Sequence, residues 1–453
     1  MNPKSVLMIA YYFPPDGCAA VYRPLRFLKA LVKKGWHVIV LCCHPYQYER
    51  EDPQLLDQVP IGTSVVRVAG RDLWCAFQTW RGVRIEHKLT SSSLEEAQQV
   101  VARQYSAWRS RFRELIRKIE ACVYRPDLAM PWIHPATREA IGVCQANRPN
   151  VIWATIGPIS AGIVAYRTSL ATGIPYVLDF RDPWGLDYYP EEIRRPAWAR
   201  KKDQEAIAAM FKQAQAVVFM FESIAEQYVR TFPDALIWRK IHIIPNGFDG
   251  TVDAFAHAPG ARCTVLYAGT LRSYRYDTLL EGLARLKSRN AVPVSQLRLL
   301  FVGEQDPQLG DRVEEMGLSE IVEIAPPVSS GEVRRLQEEA HALLILGRTA
   351  TRKGHELVAG AKLFGYLQAG RPIIGVVPHD ETRRILEQVG SSLIAAADAP
   401  EEVADKFELL LKAWSDKTLD RLIPDRAACE SYSSGKQISA LVDALDGRPR
   451  EYQ

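Results

Sequence analysis

Lysines and arginines beside glycines are the residues in this chain with an evident chemical use. The stretch 352–378, RKGHELVAGAKLFGYLQAGRPIIGVVP, carries Lys353 in a loop and Lys362 at the start of a short helix marked by Leu363, Phe364 and Leu367. A cation in a first helical turn works against the dipole. The two lysines, with free backbone N–H groups at a helix start, suit an anion. A second group is Leu266-Tyr267-Ala268-Gly269-Thr270-Leu271-Arg272, a strand ending in glycine with Arg272 and Arg275 close behind. Guanidinium matches phosphate bidentately, so one diphosphate held from both ends would use every one of these cations. Solvated lysines, and a strand-to-helix turn with surface arginines, fit the same residues without a ligand.

Two further constellations follow apolar runs. Asp179-Phe180-Arg181-Asp182-Pro183-Trp184 sets two carboxylates and an arginine at a strand end, where hydroxyl recognition or acid–base work is placed in open α/β sheets. A local Asp–Arg salt bridge that braces the loop explains them equally well. Thr155-Ile156-Gly157-Pro158-Ile159-Ser160 runs from a strand into a helix, and capping by Ser160 accounts for it. The chain has no Gly-x-Ser-x-Gly elbow, Walker loop or histidine cluster, and no Asp-x-Asp pair to hold a metal against a diphosphate.

The elements that must position these groups alternate. Val6–Phe13 reads as a strand ended by Pro14-Pro15-Asp16-Gly17, then a helix over Val21–Lys34, then a strand from Trp36 to Cys42, which is a βαβ unit with parallel strands. Gly17 and the small residues after it would let a ligand approach the backbone there, and a tight turn alone explains Gly17 equally well. Strands at Ser64–Val68, Val151–Thr155, Pro175–Phe180, Ala216–Phe221 and Ile241–Ile244 continue the series, with helices near Ala136–Ala146, Ser160–Ala171 and Ala199–Gln213. Pro245-Asn246-Gly247-Phe248-Asp249 marks a sharp turn. Beyond it a second α/β series begins, with strands at Thr264–Ala268, Leu297–Val302, Ile321–Ile324, Ala342–Leu346 and Ile373–Val377. The expected fold is α/β, two doubly wound domains facing across a cleft. The expected domains are 1–247, 248–430, and a helical tail over 431–453 packing back on the first.

Composition is that of an ordinary globular protein: 47% hydrophobic, 24% charged, formal net charge +4. The eight scattered cysteines contain no CxxC pair, which argues against a zinc site and for a reducing compartment. The start lacks a signal-peptide pattern and no run nears the ~20 apolar residues of a spanning helix, so a cytoplasmic location is expected. The small net charge gives no support for a nucleic-acid partner. Charge is uneven, however. Between Arg71 and Arg125 eleven Lys/Arg stand against six Asp/Glu. There Leu94, Ala97, Val101, Tyr105, Trp108, Phe112, Leu115 and Ile119 recur at helical spacing, with Arg103, Arg109, Arg111, Arg113 and Arg117 on other faces. That predicts a basic amphipathic helix, a packing element or a docking face for an anionic membrane surface.

YYFPPDGCAAVYRPLRFLKALVKKGWHVIVL, DFRDPW, PNGFD, LYAGTLR and KLFGYLQAGRPIIGVVP occur in this order and resemble the family 4 type of nucleotide-sugar-dependent glycosyltransferases, with the two-Rossmann GT-B architecture. The resemblance leaves only the Arg71–Arg125 segment unplaced. It implies a nucleoside diphosphate sugar donor, no further cofactor and no metal, and retention of anomeric configuration. It further implies donor binding by Gly17, Gly269, Arg272, Lys353, Lys362 and the helix start at Leu363. Asp179, Arg181 and Asp182 would then act at the reacting centre on a glycan or lipid-linked acceptor, in surface-polysaccharide assembly. Two departures stand out. Relatives usually carry glutamate where this chain has Gly365, and often a second glutamate at Leu357. Arg181 falls where many have histidine, and an arginine stabilises charge rather than acting as a base. A nucleotide-sugar epimerase on the same fold and a non-catalytic nucleotide-sugar-binding protein are the rival readings.

Overall fold

The computed structural model describes residues 3–45, 51–70, 122–188, 192, 195–256, 260–271, 274–304, 306–347, 359–360 and 362–450. The basic stripe 94–119, Arg272 and Lys353 lie outside the described residues. The chain divides into two units, Met1–Ile243 with Ala440–Gln453, and Ile244–Ser439.

Unit 1 contains β1 (Ser5–Ile9), α1 (Tyr22–Lys33), β2 (His37–Cys43), β3 (Ser64–Val68), α2 (Met130–Asn147), β4 (Val151–Ile156), α3 (Ile159–Thr172), β5 (Tyr176–Phe180), α4 (Ala197–Gln213), β6 (Ala216–Phe219), α5 (Glu222–Thr231) and β7 (Ile241–Ile243). Its seven strands are all parallel, in the order β3-β2-β1-β4-β5-β6-β7. Every residue of β4 and β5 is buried, as expected of strands covered on both faces. Between β1 and β4 the strand order reverses, so the crossovers leave in opposite directions and a crevice opens at their C-terminal ends. Helix α1 buries Leu25, Phe27, Leu28 and Leu31 and carries Pro24 in its first turn, where no N–H is missed. Helix α2 starts at Met130 and runs through Pro135, earlier than the Ala136 start read from the sequence.

Unit 2 contains β8 (Cys263–Ala268), α6 (Asp277–Arg289), β9 (Leu297–Val302), α7 (Leu309–Glu315), β10 (Val322–Ala325), α8 (Ser330–Glu339), β11 (Ala342–Leu346), α9 (Lys362–Gln368), β12 (Ile373–Val377), α10 (Glu381–Gln388), β13 (Ile394–Ala396), α11 (Pro400–Ser415) and α12 (Arg426–Glu430). Its six strands are parallel, ordered β10-β9-β8-β11-β12-β13, with the reversal between β8 and β11. Gly370 closes α9 at φ +60, and a Cβ there would come 2.5 Å from the Asp253 carbonyl oxygen, so only glycine fits.

Helix α13 (Ser434–Leu445) carries the chain from unit 2 back into unit 1. Within unit 1 the last residues are tied down. Lys4 Nζ reaches Asp446 at 2.6 Å, Gln215 Nε2 donates to the Leu445 carbonyl at 3.0 Å, and Arg450 pairs with Glu222 at 2.8 Å. Among the described residues, no helix is long and apolar enough to cross a membrane.

Candidate functional site

In unit 1 three loops meet at the strand-order reversal: the one after β1, the one after β4 and the one after β5. Arg181 links them. Its Nη1 donates to the Ala20 carbonyl at 2.8 Å, its Nη2 to the Gly157 carbonyl at 2.7 Å, and its Nε to the Ile156 carbonyl at 3.4 Å. Only 8% of Arg181 is exposed, and among the described residues no carboxylate pairs with it. Carbonyl dipoles therefore hold a buried cation in place while leaving its net charge uncancelled, which is what a group that must meet developing negative charge requires. Gly157 makes the fit. It sits at φ +126, and a Cβ there would come 2.5 Å from Arg181 Nη2.

Asp179 is placed otherwise than its sequence position suggests. It is fully buried, and both carboxylate oxygens accept from Arg23 of α1, at 2.8 Å each. The self-contained Asp–Arg bridge weighed for this loop does not form: Asp179 pairs with Arg23 of α1, and Arg181 donates to carbonyls. Asp179 thus braces α1 against β5 and presents its carboxylate to a guanidinium rather than to a substrate. Asp182 is half-buried, one residue past Arg181, and its carbonyl accepts from the Trp184 N–H at 2.8 Å. Tyr228 of α5 in turn donates to the Trp184 carbonyl, and its ring stacks on Phe219 and packs edge-on against Phe180, so the loop after β5 rests on an aromatic cluster.

Gly17 sits in the loop after β1 between Asp16, whose Oδ1 accepts from the Cys18 N–H at 2.9 Å, and Cys18 itself. Burial, with the Asp16 carboxylate beside it, pushes the Cys18 thiol up to about 12, which keeps it protonated and unsuited to nucleophilic attack.

Ser160 does not cap α3 as its position suggests; Pro158 is the capping residue and offers no side-chain acceptor. Instead Ser160 N–H and Oγ–H both donate to Asp127, at 2.9 and 2.6 Å, and the Ala129 N–H donates to the same carboxylate at 3.0 Å. Burial raises the Asp127 pKa, against the lowering effect of those three bonds. Sequence reading did not single out Asp127, because nothing local marks it: its partner lies 33 residues on.

In unit 2 the structure brings Gly269 and Lys362 together. A Cβ on Gly269, at φ +128, would come 2.9 Å from Lys362 Nζ, and one on Gly303, at φ +129, would come 2.7 Å from the Gly269 carbonyl oxygen. The two strand ends are bare backbone with one ammonium beside them. That ammonium lies 3.9 Å from the Tyr267 ring centroid and 4.8 Å from that of Tyr274, within the range of cation–π attraction. Tyr366, one helical turn on, accepts from the Ala268 N–H at 3.0 Å and anchors α9 to the end of β8. Helix α9 has seven residues, the Leu363 side chain is fully buried, and the Leu363 N–H is already taken by the Gly360 carbonyl at 3.1 Å. Among the described residues Lys362 is the cation that stands beside Gly269. At Gly365 a Cβ would meet nothing within 4 Å, so the position is open rather than closed by packing. No group of three or more potential metal-ligating side chains occurs among the described residues.

Residues 92–247 match the family described as glycosyl transferase 4-like domain. The match begins inside the segment that the motif resemblance left unplaced and covers about a third of the chain. Similar solved structures include a glycosyltransferase from Rickettsia africae (TM-score 0.60, 11% identity, covering 98% of each chain). HepE of Anabaena, solved in complex with UDP and glucose, is alike at TM-score 0.57 and 13% identity over 97% of this chain and 99% of its own. A putative UDP-N-acetylglucosamine 2-epimerase from Listeria monocytogenes shares the architecture at TM-score 0.55 and 10% identity over the whole of both chains. No curated protein matches the chain in sequence.

Proposed function

We propose that this glycosyl transferase 4-like protein of GT-B fold moves a sugar from a nucleoside diphosphate donor to a hydroxyl of a glycan or lipid-linked acceptor in surface-polysaccharide assembly, with retention and without a metal. The carrying observation is the ammonium of Lys362 set against the bare backbone of Gly269 at the end of β8, with Gly303 at the end of β9 packed against that backbone. A diphosphate leaving group gathers charge as its bond to the sugar breaks, and a fixed cation stabilises that charge without reorganising. Lys353 and Arg272 join this set on the strength of the sequence. In unit 1, Arg181 would meet charge on the donor or acceptor, and Asp182 would orient a hydroxyl. Asp179 we now assign to bracing α1.

The test is a panel of nucleoside diphosphate sugars, UDP-sugars first, each given with and without candidate glycan acceptors and with excess EDTA. The expected result is acceptor-dependent nucleotide release that EDTA leaves intact, with the donor's anomeric configuration kept in the product. Isomerisation of the sugar without acceptor would make the protein an epimerase. Binding with no turnover would make it a sugar-nucleotide receptor. Loss of activity in EDTA, restored by magnesium, would overturn the metal-free part.

Reversible attachment to the inner face of a membrane belongs to the same reading. It rests on the arginines and the Tyr105, Trp108 and Phe112 rings of the 94–119 stripe, since each basic residue near an anionic surface contributes about 1 kcal/mol. Sedimentation with anionic vesicles at low salt is expected. It should be lost at high salt and on changing Arg109, Arg113 and Arg117 to Gln. Failure to sediment with anionic vesicles at low salt would count against attachment.

A further inference from the structure

The Arg181 guanidinium is aimed by three carbonyls, two of which, Ile156 and Gly157, lie immediately before α3. The same segment is fixed from its other end. Ser160, in the first turn of α3 and fully buried, gives both its N–H and its Oγ–H to Asp127. Asp127 is itself 7% exposed and ties in the start of α2 through the Ala129 N–H. From Asp127 to Arg181 the path is therefore continuous: carboxylate, Ser160, two residues of backbone, Gly157 carbonyl, guanidinium. A buried carboxylate that spends both oxygens on the first turn of one helix costs desolvation. That cost is understandable where the turn it pins must not drift. Gly157 has no slack either, since any side chain there would collide with Arg181.

We infer that Asp127 is a positioning residue for the transfer step, setting the direction of Arg181 through Ser160 and the Gly157 carbonyl. Asp127 bonds to Ser160 and Ala129, and no hydrogen bond joins it to Arg181. Its effect is confined to how the guanidinium is presented, while the donor diphosphate is held in unit 2 by Lys362. The inference rests on the reading of Arg181 given under the proposed function, and the experiment separates the two.

Turnover of UDP-glucose, read as UDP release, is measured for Asp127→Asn, Ser160→Ala, Arg181→Ala and the doubles Asp127→Asn/Arg181→Ala and Ser160→Ala/Arg181→Ala, each first checked for an unchanged melting profile. Asp127→Asn places an amide N–H against the Ser160 N–H. It should lower kcat about tenfold, the scale of one charged hydrogen bond, with KM for UDP-glucose kept within about twofold. Once Arg181 is gone, the second substitution should cost nothing more, because groups acting through one another are not additive. If Asp127→Asn does not fold, Ser160→Ala carries the test: it removes the Oγ–H bond alone and should give a smaller loss with the same non-additivity. Additive losses, or a rise in KM with kcat kept, would overturn the inference while leaving Arg181 in place. Full kcat in Arg181→Ala would overturn both the inference and the reading beneath it.

Discussion

Asp179→Asn is expected to cost about 3–5 kcal/mol of folding stability, the range for breaking a fully buried ion pair by removing one partner. The Arg23 side chain is 3% exposed and that of Asp179 is 0% exposed, so water does not replace the lost carboxylate. An amide there would also turn N–H groups toward the guanidinium donors. The comparison of denaturant midpoints for the variant and the parent gives the result directly, and a second variant shows its cause. Replacing the two together, Arg23→Met with Asp179→Leu, should recover most of the loss, since an apolar pair of similar volume is often as stable as the ion pair. If Asp179→Asn melts with the parent yet loses turnover, Asp179 belongs at the reacting centre and the bracing role is wrong.

Lys362→Ala should weaken binding of a nucleoside diphosphate by ~1–3 kcal/mol and leave binding of the free nucleoside nearly unchanged. The prediction follows from the place of the ammonium beside Gly269, held against the faces of Tyr267 and Tyr274. Calorimetric titration of UDP and of uridine into parent and variant makes the comparison within one experiment. Equal UDP affinity in the two proteins would move the diphosphate site elsewhere. Equal losses for UDP and uridine would mean that the substitution had disturbed the whole of α9 rather than removed a phosphate contact.

Much of the architecture could be read from residue order because it is written locally. Runs such as Val6–Ile9 and Val151–Ala154 are apolar at every position, as suits a strand buried on both faces, and glycines such as Gly35 and Gly370 mark where helices stop. The elements that escaped are those with weak local signals. Strand β13 has three residues, and α5 spreads few apolar side chains through a polar ten-residue run. The site was legible as a set of candidates and not as a set of partners. Gly269 and Lys362 were picked from their chemistry, while the pairing of Arg23 with Asp179 joins residues 156 apart. Asp127 lies in a short loop with no periodicity, so its bonds to Ser160 follow from tertiary packing alone. Spacing suggested Arg181 as the partner of Asp179, and the sheet supplied a different one, because α1 lays Arg23 across the end of β5.

The division at Ile243 and Ala440 makes unit 2 an uninterrupted stretch set within unit 1. Domains of a growing chain generally fold as units, the first to be synthesised ahead of the next. Here that order is reversed at the finish. By the time Ser439 has left the ribosome, unit 2 has every residue it will ever have. Lys4, Gln215 and Glu222, made long before, still wait for Asp446, Leu445 and Arg450. Strand β1 therefore belongs to the unit whose closing segment, Ala440–Gln453, follows the whole of unit 2 in the chain.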